Sequence, residues 1–246
     1  MRPEEICALD YHPSFSSVLM DHWRRFDRER TKRELGALKQ EQPSLNAVRV
    51  HHSYDAWQRD PKAYADTWES LLEICAAEGL GLIACLFNRW HHRRLDCGGL
   101  YMEALVPGLS WAWKEGFYAP FLSDVCGAHA SDGRILVWET CDKPFEKNAD
   151  GSETLRDHRA YEARFLREVY CYLKQMKTDI PLGISVRRWY GGEELELLKN
   201  CCDWLIRSPC YMDPEETAAV MRTSFPESGL IVLTVNDPQG EREEKL

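Results

Sequence analysis

The chain has 246 residues, with 31 Lys and Arg against 40 Asp and Glu, a formal net charge of −9, and 44% hydrophobic residues. That length and apolar content support one large domain with a full core and exclude wholesale disorder. The acidic balance argues against nucleic acid or an anionic membrane surface as the main partner, because both reward a basic face.

The N-terminus, Met1-Arg2-Pro3-Glu4-Glu5, lacks the apolar run of a secretory signal. The longest apolar runs, Leu80–Phe87 and Leu230–Val235, are strand-sized and too short to span a bilayer. The ten cysteines are scattered and none forms a CxxC pair, so they are expected to be reduced and structural in a cytoplasmic protein.

In chain order, a first strand is expected near Ile6–Leu9, then an amphipathic helix over Thr31–Lys39 and a buried strand over Asn46–His52. Asp60-Pro61 supplies an N-cap and a first-turn proline. Tyr64, Trp68, Leu71, Leu72 and Cys75 then mark one helical face, which Gly79 is placed to end. Leu80–Leu86 reads as the third strand, Asn88–Gly133 as a long irregular stretch and Arg134–Trp138 as the fourth strand. A helix over Glu153–Lys177 follows, then strand Leu182–Val186, helix Glu193–Asn200, strand Trp204–Arg207, helix Pro214–Arg222 and strand Leu230–Val235.

Strands apolar on both faces that alternate with helices define a parallel sheet covered by helices. No glycine-rich phosphate loop follows any strand, so no nucleotide cofactor is expected. The pattern predicts a single α/β domain over residues 1–246, a (β/α)8-type TIM barrel with seven recognisable strands and the eighth missing or replaced. Open parallel edges beside strands one and seven would favour homo-oligomer formation through that gap.

Polar and aromatic residues collect after the strand ends. They include Asp10-Tyr11-His12, Arg49 with His51-His52, Asn88-Arg89-Trp90-His91-His92, Glu139 to Lys143, Tyr211 and Asn236-Asp237. Converged at one barrel mouth, they suit a neutral polyhydroxylated ligand: rings stack on sugar faces while fixed polar groups bind hydroxyls. An oligosaccharide or glycoside is the expected ligand. The His51-His52 and His91-His92 pairs raise a metal site completed by Asp10 or Asp142. Adjacent strand residues face opposite ways, so each pair offers at most one ligand, and no metal is expected.

The run Leu45-Asn46-Ala47-Val48-Arg49-Val50 with Ser53-Tyr54-Asp55-Ala56-Trp57 resembles the second unit of the cellulase-like clan A glycoside hydrolases. Leu86-Phe87-Asn88-Arg89-Trp90-His91-His92 is similar to their third strand end. Arg134-Ile135-Leu136-Val137-Trp138-Glu139-Thr140-Cys141-Asp142-Lys143-Pro144 is similar to their fourth, which normally closes with Asn-Glu-Pro. The resemblance runs from about Ile6 to Thr234 and is strongest over strands two to four. It implies a TIM barrel, retaining glycoside hydrolysis by two carboxyl groups about 5–5.5 Å apart, and no cofactor.

By that resemblance the acid/base position falls on Lys143, its Asn neighbour on Asp142, and the nucleophile position on Val235, or on Asn236 if the register shifts by one. Both catalytic Glu positions are therefore substituted. A Lys ammonium, with an ordinary pKa of about 10.4, is a feeble proton donor at neutral pH and cannot return as a carboxylate base. The expectation is a carbohydrate-associated protein with degenerate catalysis. One alternative is a β-glycosidase using the displaced carboxylates Asp142 and Asp237, or Glu139; another is a scaffold or interaction protein. The candidate catalytic residues are Asp142, Lys143 and Asp237; the candidate substrate-binding residues are Arg49, His52, Asn88, Trp90, His91, Trp138 and Tyr211.

Overall fold

A computed structural model describes residues 5–89, 98–100, 105, 118–145, 159–185, 197–198 and 201–206, with the backbone alone of 158, 186, 207 and 229–231. The strands are β1 (Ala8–Asp10), β2 (Ala47–His51), β3 (Gly81–Cys85), β4 (Ile135–Asp142), β5 (Leu182–Val186), β6 (Trp204–Arg207) and β7 (Gly229–Ile231). They form one seven-stranded parallel sheet in sequential order β1 to β7. Each strand therefore pairs with the next after a crossover, the connection that curls a parallel sheet into a barrel. Among the described residues there is no eighth strand, and the outer edge of β1 has no partner strand.

Among the described residues six helices of a turn or more accompany the sheet: α1 (Leu19–Arg24), α2 (Arg28–Glu41), α3 (Tyr54–Arg59), α4 (Pro61–Ala77), α5 (Tyr118–Cys126) and α6 (His158–Gln175). Local chemistry fixes several of their starts. The side chain of Asp27 accepts from the Arg30 amide at 2.9 Å, that of Ser53 from Ala56 at 3.2 Å and that of Asp60 from Ala63 at 3.0 Å. Just beyond α4, Gly79 turns the chain at φ 68°, a conformation that costs glycine little.

Two apolar layers hold the sheet. The larger lies between strands and helices and includes Trp23, Tyr64, Trp68, Leu71, Phe121, Trp138 and Leu166. The smaller fills the barrel lumen with Ile6, Ala8, Ala47, Ile83, Val137 and Ile206. Gly183 keeps that lumen closed: a Cβ there would sit 2.7 Å from Ile206 Cδ1 and 2.9 Å from Val137 Cγ1. No described helix is long and apolar enough to cross a membrane.

Several expected boundaries move. The first helix read from the sequence, Thr31–Lys39, is the centre of the longer α2, and α1 and α3 add two short helices. The stretch read as irregular contains α5 and a 3-10 turn at Gly127–His129. Strand β4 continues four residues past Trp138. The expected helices Glu193–Asn200 and Pro214–Arg222 and the strand beyond Ile231 lie largely or wholly outside the described residues.

Candidate functional site

Side chains two apart on a strand share a face. Stepping on by two from the apolar lumen residues leads from Ala8 to Asp10, from Ala47 to Arg49 and His51, from Val137 to Glu139 and from Gly183 to Ser185. The lumen thus changes from apolar to polar towards the carboxyl ends of the strands, the end at which TIM barrels carry their sites.

Arg49 is the hub. Its Nε donates to Glu139 Oε2 at 2.6 Å and its Nη2 to Glu139 Oε1 at 2.5 Å, a two-pronged pair. Its Nη1 donates to both oxygens of Asp10 at 3.1 Å, and Nη2 lies 2.9 Å from Asp142 Oδ1. Ser185 Oγ accepts from Nη2 at 3.3 Å. Arg49, Asp10, Glu139 and Asp142 are all buried. One guanidinium therefore serves three carboxylates from β1 and β4.

Asp142 reaches this point through a backbone irregularity. It stands three positions on from Glu139, so regular alternation would turn the two to opposite faces. The pairing of β4 with β5 shifts between Glu139 and Cys141, consuming one extra residue and returning Asp142 to the lumen. Cys141 instead joins the outer apolar layer. The Asp142 amide donates to the Phe87 carbonyl at 2.8 Å and its carbonyl accepts from Arg89 at 3.0 Å, which ties it to the end of β3 beside Asn88.

His51 Nε2 lies 3.4 Å from Asp142 Oδ2, and Lys143 Nζ 3.8 Å from the same oxygen. Lys143 is buried and holds φ at 54°, and Phe145 at 65°, so the chain leaves the strand end through a left-handed bend. Burial pushes the Asp142 carboxyl up, but Arg49, Lys143 and His51 together outweigh it and hold it below the usual carboxylate range. Asp10 behaves alike: burial raises it, and Arg49, His51 and His12 bring it lower. Burial alone would lower the Arg49 pKa; Asp10, Asp142 and Glu139 instead raise it well above its ordinary value.

The chemistry open to this arrangement is limited. A general acid needs a proton-donor pKa near the working pH. Asp10 and Asp142 are held ionised, the opposite of what proton donation to a leaving oxygen requires. What the cluster offers is a rigid set of hydrogen-bonding groups at the strand ends.

Of the candidates read from the sequence, Arg49, Asp142, Lys143 and Asn88 come together. Two do not. His52 faces the helices: its Nδ1 meets the Tyr64 hydroxyl at 2.8 Å, and its ring stacks on Trp23 with centroids 5.0 Å apart. Trp138, fully buried, packs in the same outer layer against Trp68 at 6.3 Å. Neither faces the lumen cluster, because each sits one residue out of phase with an inward neighbour, His51 and Glu139. Trp90, His91, Tyr211 and Asp237, together with Val235, lie outside the described residues. Asp10 and His51, raised from the sequence as metal ligands, and Glu139, raised as an alternative carboxylate, belong to the cluster; Ser185 joins it without any sequence signal. The period of two from Arg49 already places His51 on its face.

No protein-family model and no curated protein matches the sequence. Solved structures do match in fold. An exo-β-1,4-mannosidase from an Opitutaceae bacterium aligns with TM-score 0.66 and 10% identity over 92% of this chain and 44% of its own. GH5_18 from Streptomyces cattleya, in complex with Manβ1-4GlcNAc, aligns with TM-score 0.60 and 13% identity over 82% of this chain and 51% of its own. A glycosyl hydrolase family 2 member from Bacteroides cellulosilyticus gives 0.58 and 12%, over 92% of this chain and 24% of its own. The chain thus spans between a quarter and about half of these proteins. At such identities the likeness defines the fold: a partial TIM barrel of the kind found in glycoside hydrolases.

Proposed function

We propose that this chain is a glycoside-hydrolase-like, carbohydrate-associated protein, organised as one domain, in which acid/base catalysis is degenerate. The observation that carries the reading is the pair Asp142–Lys143 at the end of β4. Where the resembled hydrolases place Asn-Glu, this chain has a carboxylate held ionised beside Arg49 and an ammonium 3.8 Å from it. The fold neighbours, one of them solved with Manβ1-4GlcNAc, support a sugar as the ligand class. The scattered cysteines, with no CxxC pair among them, support a reducing compartment, the cytoplasm. Titration calorimetry with Manβ1-4GlcNAc and other neutral oligosaccharides tests the reading. Saturable binding with the sugar recovered intact is the expected result; released monosaccharide contradicts it.

A second reading has one specific observation in its favour. The bulge in β4 turns Asp142 into the lumen, which supports the reading that displaced carboxylates, Asp142 with Asp237, carry glycoside hydrolysis. Turnover abolished in Asp142→Ala and in Asp237→Ala distinguishes it. The outer edge of β1, which has no partner strand among the described residues, supports self-association. Light scattering at micromolar concentration is expected to return a dimer or larger species, and a monodisperse monomer contradicts it.

A further inference from the structure

We propose that Asp10, His12 and His51 form a binding site for a divalent transition-metal ion of the zinc type, at the rim of the lumen beside the Arg49 cluster. One donor atom from each of the three lies within 4.8 Å of the others. Ligands on a tetrahedral Zn2+ at about 2.0–2.1 Å stand roughly 3.4 Å apart, so side-chain rotations of about 1 Å or less close the site.

The fold explains why these three meet. Asp10 ends β1, and its Cα pairs with Arg49 on β2; His51 stands two residues beyond Arg49 on the same face. His12 lies just past β1 and lays its ring over that of His51, with centroids 5.7 Å apart and planes 19° from parallel.

A second observation points to a cation. His51 is buried, its Nε2 faces Asp142 at 3.4 Å, and its Nδ1 has no hydrogen-bond partner. A buried ring nitrogen without a partner costs free energy. A carboxylate on the opposite nitrogen is the arrangement that fixes the tautomer of metal-binding histidines and raises their basicity. With Nε2–H donated to Asp142, the lone pair of Nδ1 is the one left for an ion.

The charge balance also permits it. Asp10, Glu139 and Asp142 supply three formal negative charges against two positive from Arg49 and Lys143. Arg49 occupies part of the Asp10 carboxylate at 3.1 Å, yet a carboxylate has about four lone-pair positions and can serve a second cation. Two imidazoles and one carboxylate favour Zn2+, Co2+ or Ni2+ over Mg2+ or Ca2+, and leave a coordination position for water or a ligand hydroxyl. This inference does not depend on the carbohydrate reading.

The test uses the full chain stripped with a chelator and titrated with Zn2+ by calorimetry and with Co2+ by visible absorption. One equivalent is expected to bind, with cobalt d–d bands of nitrogen and oxygen ligation. His12→Ala, which alters the half-buried ligand at the rim, is expected to weaken affinity by about tenfold or more, and His129→Gln, remote from the site, to leave it unchanged. His12→Ala retaining the native circular dichroism spectrum keeps the result distinct from unfolding. No binding, binding unaffected by His12→Ala, or a thiolate-to-cobalt charge-transfer band would each overturn the proposal, the last by placing the ion at cysteines.

Discussion

Glu139 and Asp142 stand three residues apart on one strand and yet both contact Arg49, because the register of β4 against β5 slips by one residue between them. The slip concentrates three carboxylates on one buried guanidinium. It also sends Lys143 along a left-handed bend into contact with the same cluster. Much of what this barrel end can and cannot do follows from that local irregularity.

Removing the hub leaves its carboxylates buried and uncompensated. Arg49→Met is expected to destabilise the chain by about 3–5 kcal/mol, the range for breaking a buried ion pair, as read from urea unfolding. Arg49→Lys should recover only part of that, since an ammonium cannot make the two-pronged contact to Glu139. A near-neutral Arg49→Met would mean that the carboxylates do not depend on it.

Stability should fall on the acid side of neutrality for a reason outside the lumen. Burial among the aromatic rings of the outer layer pushes His22 and His52 down to about 3. In the unfolded chain each takes up a proton near pH 6.5, so both contributions are complete above that pH. They are lost as pH falls from about 6.5 to 3, by about 1.4 kcal/mol per pH unit for each residue. His22→Gln is expected to make the unfolding free energy between pH 6 and 4 less steep by about that amount. An unchanged slope would contradict a neutral buried His22.

Trp138 offers a separation of packing from binding. Trp138→Ala is expected to cost about 3–5 kcal/mol as a large-to-small core substitution, while leaving oligosaccharide affinity unchanged. Lost sugar binding at unaltered stability would return Trp138 to the ligand site.

The parts of the fold legible in the sequence are those where local signals agree. Strands β5 and β6 keep the expected bounds, Leu182–Val186 and Trp204–Arg207, because short apolar runs are flanked by polar residues. Helix α4 follows its cap, its proline and its apolar face. Strand β4 reads short because Glu139, Thr140 and Asp142 look like loop residues; only the polar upper lumen, a tertiary feature, makes strand positions of them. Helix α5 was hidden by Pro120, which its first turn tolerates. At the site, Arg49, Asn88, Asp142 and Lys143 were legible as strand-end residues. His52 and Trp138 were misplaced by one position each, since a strand end shows which residues lie near the mouth but alternation decides which of them face it.

That this barrel lacks a catalytic pair is our proposal, and hydrolysis of dinitrophenyl β-glycosides is the measurement that decides it. Dinitrophenolate departs without help from a general acid, so Lys143, at the proposed acid/base position, no longer limits the rate, and the assay asks only whether a nucleophile or activated water remains. The account predicts release no faster than in buffer across β-mannoside, β-glucoside and related substrates. Release above buffer that disappears in Asp142→Ala or Asp237→Ala would contradict it and make this chain a working glycosidase.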